Sequence, residues 1–344
     1  MKRHFCTYFN SGYLDRAMAL IESMRQQTPG FSLDVLCFDE VAFDYFTRHP
    51  VAGVRTETLG AFEARNPDVA GVKTTRSRGE YFFTCTGAWT LDVLKRHPEI
   101  DVLTYLDADL CFFASPEPVF EAMSGKDIVV TEHQFSPRQS GMLKYGRFNV
   151  GWLSFRNSEA GLACLSLWRS QCVAWCFDRL EDGKFADQKY LDEWPSVYGE
   201  RLLIAAPGVN TGPWALARGV FTVDPCGVRR VSGHPLIVYH FQGLRLYSRS
   251  HYYMGYILDF WPREVIRHVY APYVRSLVDF EALSRSCSAA HARYAKEWFP
   301  IRALMGYWLE RPGLTLLIWS CQRLILGLFN RKSLLFLMGR KRAG

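Results

Sequence analysis

Short apolar runs alternate with segments of helical period along the first half of the chain, the arrangement of βα units, and this predicts an α/β fold built on a mostly parallel sheet. Residues 5–8 read as a first strand. Ser11 is placed to cap a helix whose Leu14, Met18, Ile21 and Met24 recur on one face, and residues 33–38 read as a second strand. Within 81–94, Tyr81, Cys85, Ala88 and Leu91 keep helical spacing, and the pattern stops near His97 and Pro98. Residues 102–106 are apolar with little alternation, as expected of a strand buried on both faces. Farther on, 128–131, 150–155, 202–204 and 236–241 predict short strands, about 159–177 an amphipathic helix, and the TGPW segment 211–214 a loop. After Gly243 the character turns helical and rich in Tyr, Arg and Leu. The expected organisation is therefore a domain over 1–243, a helical extension over 244–312 and an apolar, basic tail over 313–344.

Composition narrows the class. With 344 residues of which 49% are hydrophobic, the chain can bury a large core. Ten cysteines are scattered singly, without the paired spacing of a zinc framework, and the N-terminal MKRHFCTYF enters a strand pattern directly, so a reducing cytosolic compartment is expected. The net charge of +7 is spread along the sequence except at the C-terminus, which argues against nucleic acid and suits an anionic substrate or an anionic membrane surface.

The candidate chemistry lies in YLDADLCFF, residues 105–113. Asp107 and Asp109 stand two apart at the end of an apolar run, so on extended backbone they would share one face, with Ala108 leaving the space between them open. Carboxylates set between apolar runs need compensation for lost hydration, and a divalent cation supplies it. His240 closes another apolar run and is a third candidate ligand; two carboxylates and an imidazole suit Mn²⁺ well and Mg²⁺ acceptably. The alternatives are a solvated acidic turn and a structural histidine. A different enzyme class, an aspartate phosphotransferase with Asp107 as nucleophile, expects the acids near the first strand with a small polar residue after them, whereas Leu110 and Cys111 follow here.

YLDADLCFF, FNVGWLSFRN (148–157), Asp187 with Gln188, and YHFQG (239–243) occur in the order seen in nucleotide-sugar glycosyltransferases of the GT-A fold, and the chain most resembles the retaining group known as glycosyltransferase family 8 over about residues 2–243. The resemblance implies a GT-A, mixed and mostly parallel sheet flanked by helices. It implies that Asp107, Asp109 and His240 hold Mn²⁺ or Mg²⁺ against the diphosphate of a UDP-sugar. It also implies that Thr7 and Tyr8 lie near the base, that Asn149 binds the donor sugar, and that Asp187 and Gln188 line the reaction centre. Where the family carries Lys-Pro-Trp after His-x-x-Gly, this chain has Leu244, Arg245 and Leu246, so Arg245 is the candidate phosphate donor, with Arg76 or Arg78 replacing a further family arginine. Trp214, in its Gly-Pro loop, is the candidate platform for an acceptor, and Trp152, Trp168, Trp175 and Trp194 read as core. A scaffold that binds nucleotide sugars without turnover is the non-enzymatic alternative.

Residues 313–329 are strongly apolar but interrupted by Gln322 and Arg323, and Arg331, Lys332, Arg340, Lys341 and Arg342 flank a further apolar stretch. This pattern fits an interfacial helix at the cytosolic face of an inner membrane, or a helix packed on protein. Membrane contact would suit a glycan or lipid-linked acceptor in surface polysaccharide or lipopolysaccharide synthesis.

Overall fold

The computed structural model describes residues 1–248, 251–256 and 262–284, so the tail 313–344 and the end of the helical extension lie outside the described residues. Its first eight strands are β1 (Arg3–Phe9), β2 (Leu33–Cys37), β3 (Val54–Thr58), β4 (Val102–Leu106), β5 (Leu110–Phe112), β6 (Ile128–Glu132), β7 (Phe148–Arg156) and β8 (Leu202–Ile204). All but β5 form one sheet of order β3-β2-β1-β4-β7-β6-β8. Only β7 runs antiparallel to its neighbours, so the sheet is mixed and mostly parallel, as the βα pattern predicts.

Both faces of the sheet are covered, which is why its central strands lack alternation. Leu33, Val35 and Cys37 pack with Leu14, Ala17, Leu20 and Met24 of the helix Leu14–Gln27. Leu36, Leu103 and Tyr105 face the other way, onto Trp89 of the helix Arg78–Arg96 and Trp168 of the helix Glu159–Ala174. The second of these helices starts at a Ser77–Glu80 capping box. The first follows a short 3₁₀ turn, Ser11–Tyr13, which Asn10 caps by accepting from the Gly12 N–H, while Ser11 donates to Asp39 and does not cap the helix. The edge strand β3, Val-Arg-Thr-Glu-Thr, has no apolar run and gives no strand signal in the sequence.

Beyond β8 a small meander of β9 (Phe221–Val223), β10 (Arg229–Val231) and β11 (His234–Pro235) leads into β12 (Val238–His240), the only part of the apolar run 236–241 that forms a strand. β12 pairs antiparallel with β5, Val238 opposite Phe112 and His240 opposite Leu110. After Gly243 the chain forms a hairpin, Arg245–Ser248 with His251–Tyr253, before turning helical through Ala271–Ser284. This segment shares a core with β12: Phe241 stacks on Tyr273 at 3.6 Å between centroids, and Tyr239, Tyr270 and Leu277 close around it with Ala19. No helix among the described residues is long and apolar enough to cross a membrane.

Trp168 ties the layers together. Its fully buried ring stacks on Phe155, meets Trp194 edge-on, and its indole N–H donates to the Asp187 carbonyl at 2.8 Å. Trp168→Ala removes both packing and that hydrogen bond, and we expect a loss of about 3–5 kcal/mol in urea unfolding; a loss below about 1 kcal/mol would contradict this account of the core.

Candidate functional site

β4 delivers Asp107 at its carboxyl end, where the backbone turns at once: the Leu110 N–H reaches the Asp107 carbonyl at 3.3 Å, and β5 begins. The two acids therefore flank a turn, and their convergence comes from that reversal rather than from strand alternation. The turn is held from both sides, by the Asp107 N–H on the Gly151 carbonyl at 3.0 Å and by the Phe241 N–H on the Asp109 carbonyl at 3.0 Å. Pairing of β12 with β5 then brings His240 above the acids, its Nε2 lying 3.1 Å from Asp109 Oδ1 and 3.6 Å from Asp107 Oδ2. One ligand atom from each of the three side chains lies within 4.8 Å of the others, and these form a group able to hold a metal ion.

The electrostatics of this group follow from burial and proximity. Burial raises the Asp107 carboxyl; His240 opposes the rise and Asp109 adds to it. Burial alone would raise Asp109 too, but His240 and then Arg16 outweigh it and hold that carboxyl below its ordinary range. The same attraction from Asp109 and Asp107 overcomes burial at His240 and raises its affinity for a proton. In the ion-free protein a proton on His240 thus does what a cation would do. The residues fit a hard divalent ion: two oxygen ligands, one imidazole nitrogen, and a partly exposed Asp107 that leaves an approach from solvent.

Around this group each side chain is held by a neighbour. The Tyr105 hydroxyl, two residues before Asp107 on β4, donates to Asp107 Oδ1 at 2.7 Å. The His240 backbone N–H donates to Thr211 at 2.8 Å and its Nδ1 meets Asn210 Oδ1 at 2.9 Å. Asn210, fully buried with φ of 55°, is a site residue the sequence reading missed, one position before the loop noted at Thr211. A Gly-Pro loop makes an asparagine look like a turn former, and its backbone is indeed left-handed. Arg16 was missed as well; it donates to Asp15 and to the Leu244 carbonyl at 3.1 Å from beside Asp109.

No protein-family model matches this chain. It is 33% identical over 257 residues, 72% of this chain and 84% of the relative, to uncharacterized protein YfnF of Bacillus subtilis (strain 168). The chain belongs to the YfnF family. A second protein of that organism, uncharacterized protein YfnD, is 26% identical over 277 residues, covering 80% of this chain and 88% of the relative. Among solved structures, galactosyltransferase LgtC in complex with donor and acceptor sugar analogues aligns with a TM-score of 0.49 at 17% identity, over 80% of this chain and 95% of that chain.

The other sequence candidates of this YfnF family member fall at varying distances from the acids. Asp187 is buried and accepts from the Thr86 hydroxyl at 2.9 Å, and Thr86 in turn meets the Tyr8 hydroxyl at 2.9 Å, so Tyr8 and Asp187 are joined through one threonine. Thr7 is buried in β1 with its hydroxyl unpaired. Gln188 donates to the Tyr145 carbonyl at 3.0 Å and anchors the 3₁₀ segment Pro137–Tyr145. Arg76 donates to the Val173 and Ala174 carbonyls at the end of the helix Glu159–Ala174 and lies over Phe177, so its guanidinium is engaged as a helix cap. Arg245 is exposed on its hairpin. Asn149 lies beneath His240, its amide bonded to Gly151, Asn210 and His133. Trp214 is fully buried, not an open platform: Gly212 has no side chain to hold the indole away, and the ring sits edge-on to His240 at 5.2 Å. Trp152, Trp168 and Trp194 are core residues, as their apolar settings predict.

Asp187 titrates abnormally. Burial pushes its carboxyl up to about 7, with Thr86 opposing and Asp107 adding. Between about pH 4 and pH 7 the folded, ion-free protein therefore retains a proton that the unfolded chain has released, so stability falls as pH rises through that window. Asp187→Asn removes this slope: thermal melts in chelator should show the variant gaining on the wild type from about pH 4 to about pH 7. Parallel pH profiles would refute the assignment.

Proposed function

We propose that this YfnF family member is a metal-dependent glycosyltransferase of the GT-A type, moving a sugar, on this reading a hexose, from a nucleotide diphosphate donor such as UDP to a hydroxyl of a glycan or lipid-linked acceptor. One observation carries the reading: Asp107, Asp109 and His240, contributed by segments over 130 positions apart in sequence, converge their ligand atoms within 4.8 Å at the carboxyl end of a parallel strand, where α/β sheets gather ligands. The ordered set of four sequence motifs supports it.

On this reading Asp107, Asp109 and His240 hold Mn²⁺ or Mg²⁺, whose charge stabilises the diphosphate oxygen as it leaves. Tyr105 fixes the rotamer of Asp107 and so the direction from which it ligates. Asp187, kept by Thr86 within reach of the Asp107 field, lines the reaction centre with Gln188, and Tyr8 continues the same hydrogen-bonded line toward the base. Arg245, exposed after the turn at Gly243, is available to the phosphates. Arg76, engaged at its helix end, has no part in this reading.

The test pairs binding with turnover. A thermal-shift screen of nucleotide sugars should show a rise in melting temperature for the cognate donor with Mn²⁺ and a much smaller rise in chelator. Asp109→Ala should keep the wild-type circular dichroism spectrum while lowering Mn²⁺-dependent donor hydrolysis and transfer by roughly 100-fold or more. Unchanged turnover in that variant would reject the metal role, and donor binding without hydrolysis or transfer to any acceptor would mark a scaffold.

A further inference from the structure

Beneath the three candidate ligands runs a line of hydrogen bonds whose direction can be read from fixed ends. The Gly151 N–H can only donate, and it donates to Asn149 Oδ1 at 2.8 Å, which settles how the Asn149 amide is turned. Asn149 Nδ2 therefore faces His133 Nε2 at 3.1 Å, and an amide NH₂ only donates, so that nitrogen of His133 accepts. The proton of His133 is then on Nδ1, where the Arg147 carbonyl waits at 3.2 Å to accept it. Both ends, one obligatory donor and one obligatory acceptor, agree.

The other branch leads to the ligands. Asn149 Oδ1 also accepts from Asn210 Nδ2 at 2.8 Å, and the same Nδ2 donates to Thr131 Oγ1 at 2.7 Å. Asn210 Oδ1 is thereby turned toward His240 Nδ1, 2.9 Å away, and an amide oxygen only accepts. His240 must carry a proton on Nδ1. We propose that His133, Asn149 and Asn210 are positioning residues that commit His240 to the Nδ1–H tautomer and so reserve its Nε2 for a divalent cation shared with Asp107 and Asp109. This rests on the metal reading of the site.

The opposite tautomer would set the Nδ1 lone pair against the Asn210 oxygen. Reversing both amides to relieve that would strand the Gly151 N–H and leave Asn149 Oδ1 facing the His133 Nε2 lone pair. The packing allows little such motion: Asn149, Asn210 and His133 are buried, and a Cβ on Gly151 would come within 2.7 Å of Asn210 Oδ1 and of His240 Nδ1 and 2.8 Å of Asn149 Oδ1. The β6–β7 register slips between Val129 and Thr131, beside this cluster. Asn149, with its oxygen already accepting twice, serves the cation from below; its family-implied contact to the donor sugar is not needed for this role.

The experiment uses the full chain with ¹⁵N-labelled histidine. Long-range ¹H–¹⁵N correlation with Mg²⁺ should show His240 protonated at Nδ1 and bare at Nε2, and electron paramagnetic resonance titration should report binding of Mn²⁺, alone and with UDP. Asn210→Gly suits the left-handed backbone and should let the Nε2–H form appear while weakening Mn²⁺ binding by roughly 10- to 100-fold. Asn210→Asp keeps an acceptor oxygen against Nδ1 and should retain the Nδ1–H form, while its second oxygen, set against Asn149 Oδ1 where an amide N–H now donates, should lower the melting temperature. Wild-type His240 with no proton on Nδ1 overturns the proposal whether or not the variants fold. So does Asn210→Gly with wild-type affinity, or with reduced affinity and an unchanged tautomer. Wild type that binds no Mn²⁺ in either titration rejects the metal reading instead, and a spectrum with Nδ1 of His240 bare still overturns the hydrogen-bond assignment.

Discussion

Two carboxylates brought together away from bulk water repel each other, and neither can stay ionised at low cost without a positive charge between them. The architecture around Asp107 and Asp109 answers that constraint. A turn at the end of β4 forces the acids toward one point, and the antiparallel pairing of β5 with β12 sets His240 over that point. The hairpin and helical segment after Gly243 hold β12 down through Tyr239, Phe241, Tyr270 and Tyr273. Remove that packing and the imidazole loses its registry over the acids, so a segment distant from the chemistry in sequence is part of what makes the site.

The surroundings of His240 are unusually polar for a region so deeply buried. Thr131, His133, Asn149, Asn210 and Thr211 lie within the fold with little exposure, and an apolar set of similar volume would be the less expensive way to fill that space. Amides and imidazoles differ from apolar residues in that each hydrogen bond fixes which end of the next group can donate. Such a network transmits a proton's position over several residues without any moving part, and its satisfaction is high: each of Asn149, Asn210 and His133 is bonded through both ends of its polar group. That is a reason for polar groups to be there which stability alone does not supply.

Much of this was legible in the sequence, and the failures have physical causes. The buried parallel strands show as unbroken apolar runs because both faces of the sheet are covered, and the acids and His240 show because charged or titratable residues at the ends of such runs are out of place. The reason given for the acids was wrong in detail: strand alternation is not what aligns them, since the backbone turns between them. β3 is invisible because an edge strand with Arg, Thr and Glu has no apolar signature. Asn210 was hidden because its backbone does what any turn asparagine does, and only the tertiary fold puts its amide against His240. Trp214 was placed on the surface by its loop, whereas Gly212 lets the indole fold inward and become a wall of the ligand cluster. Arg76, one of two arginines read as replacing a family arginine, donates to the carbonyls that end the helix Glu159–Ala174.

The charge balance of the ion-free site bears on the order of events in the proposed reaction. Asp107 and Asp109 face the same region as Asp187, which holds its proton up to about pH 7, and the nearby cation Arg16 is already paired with Asp15 and tied to the Leu244 carbonyl. The segment after Gly243, Leu244, Arg245 and Leu246, carries one cation, and that cation is exposed. A nucleotide diphosphate entering such a site ahead of any metal would meet carboxylates on its phosphates. A divalent ion on Asp107, Asp109 and His240 cancels the charge of the two acids, and the same carboxylates become the means of presenting the cation to the phosphates. On the proposed reading the cation must therefore arrive before the donor or together with it, and the acid cluster acts as the gate that rejects a donor without its metal.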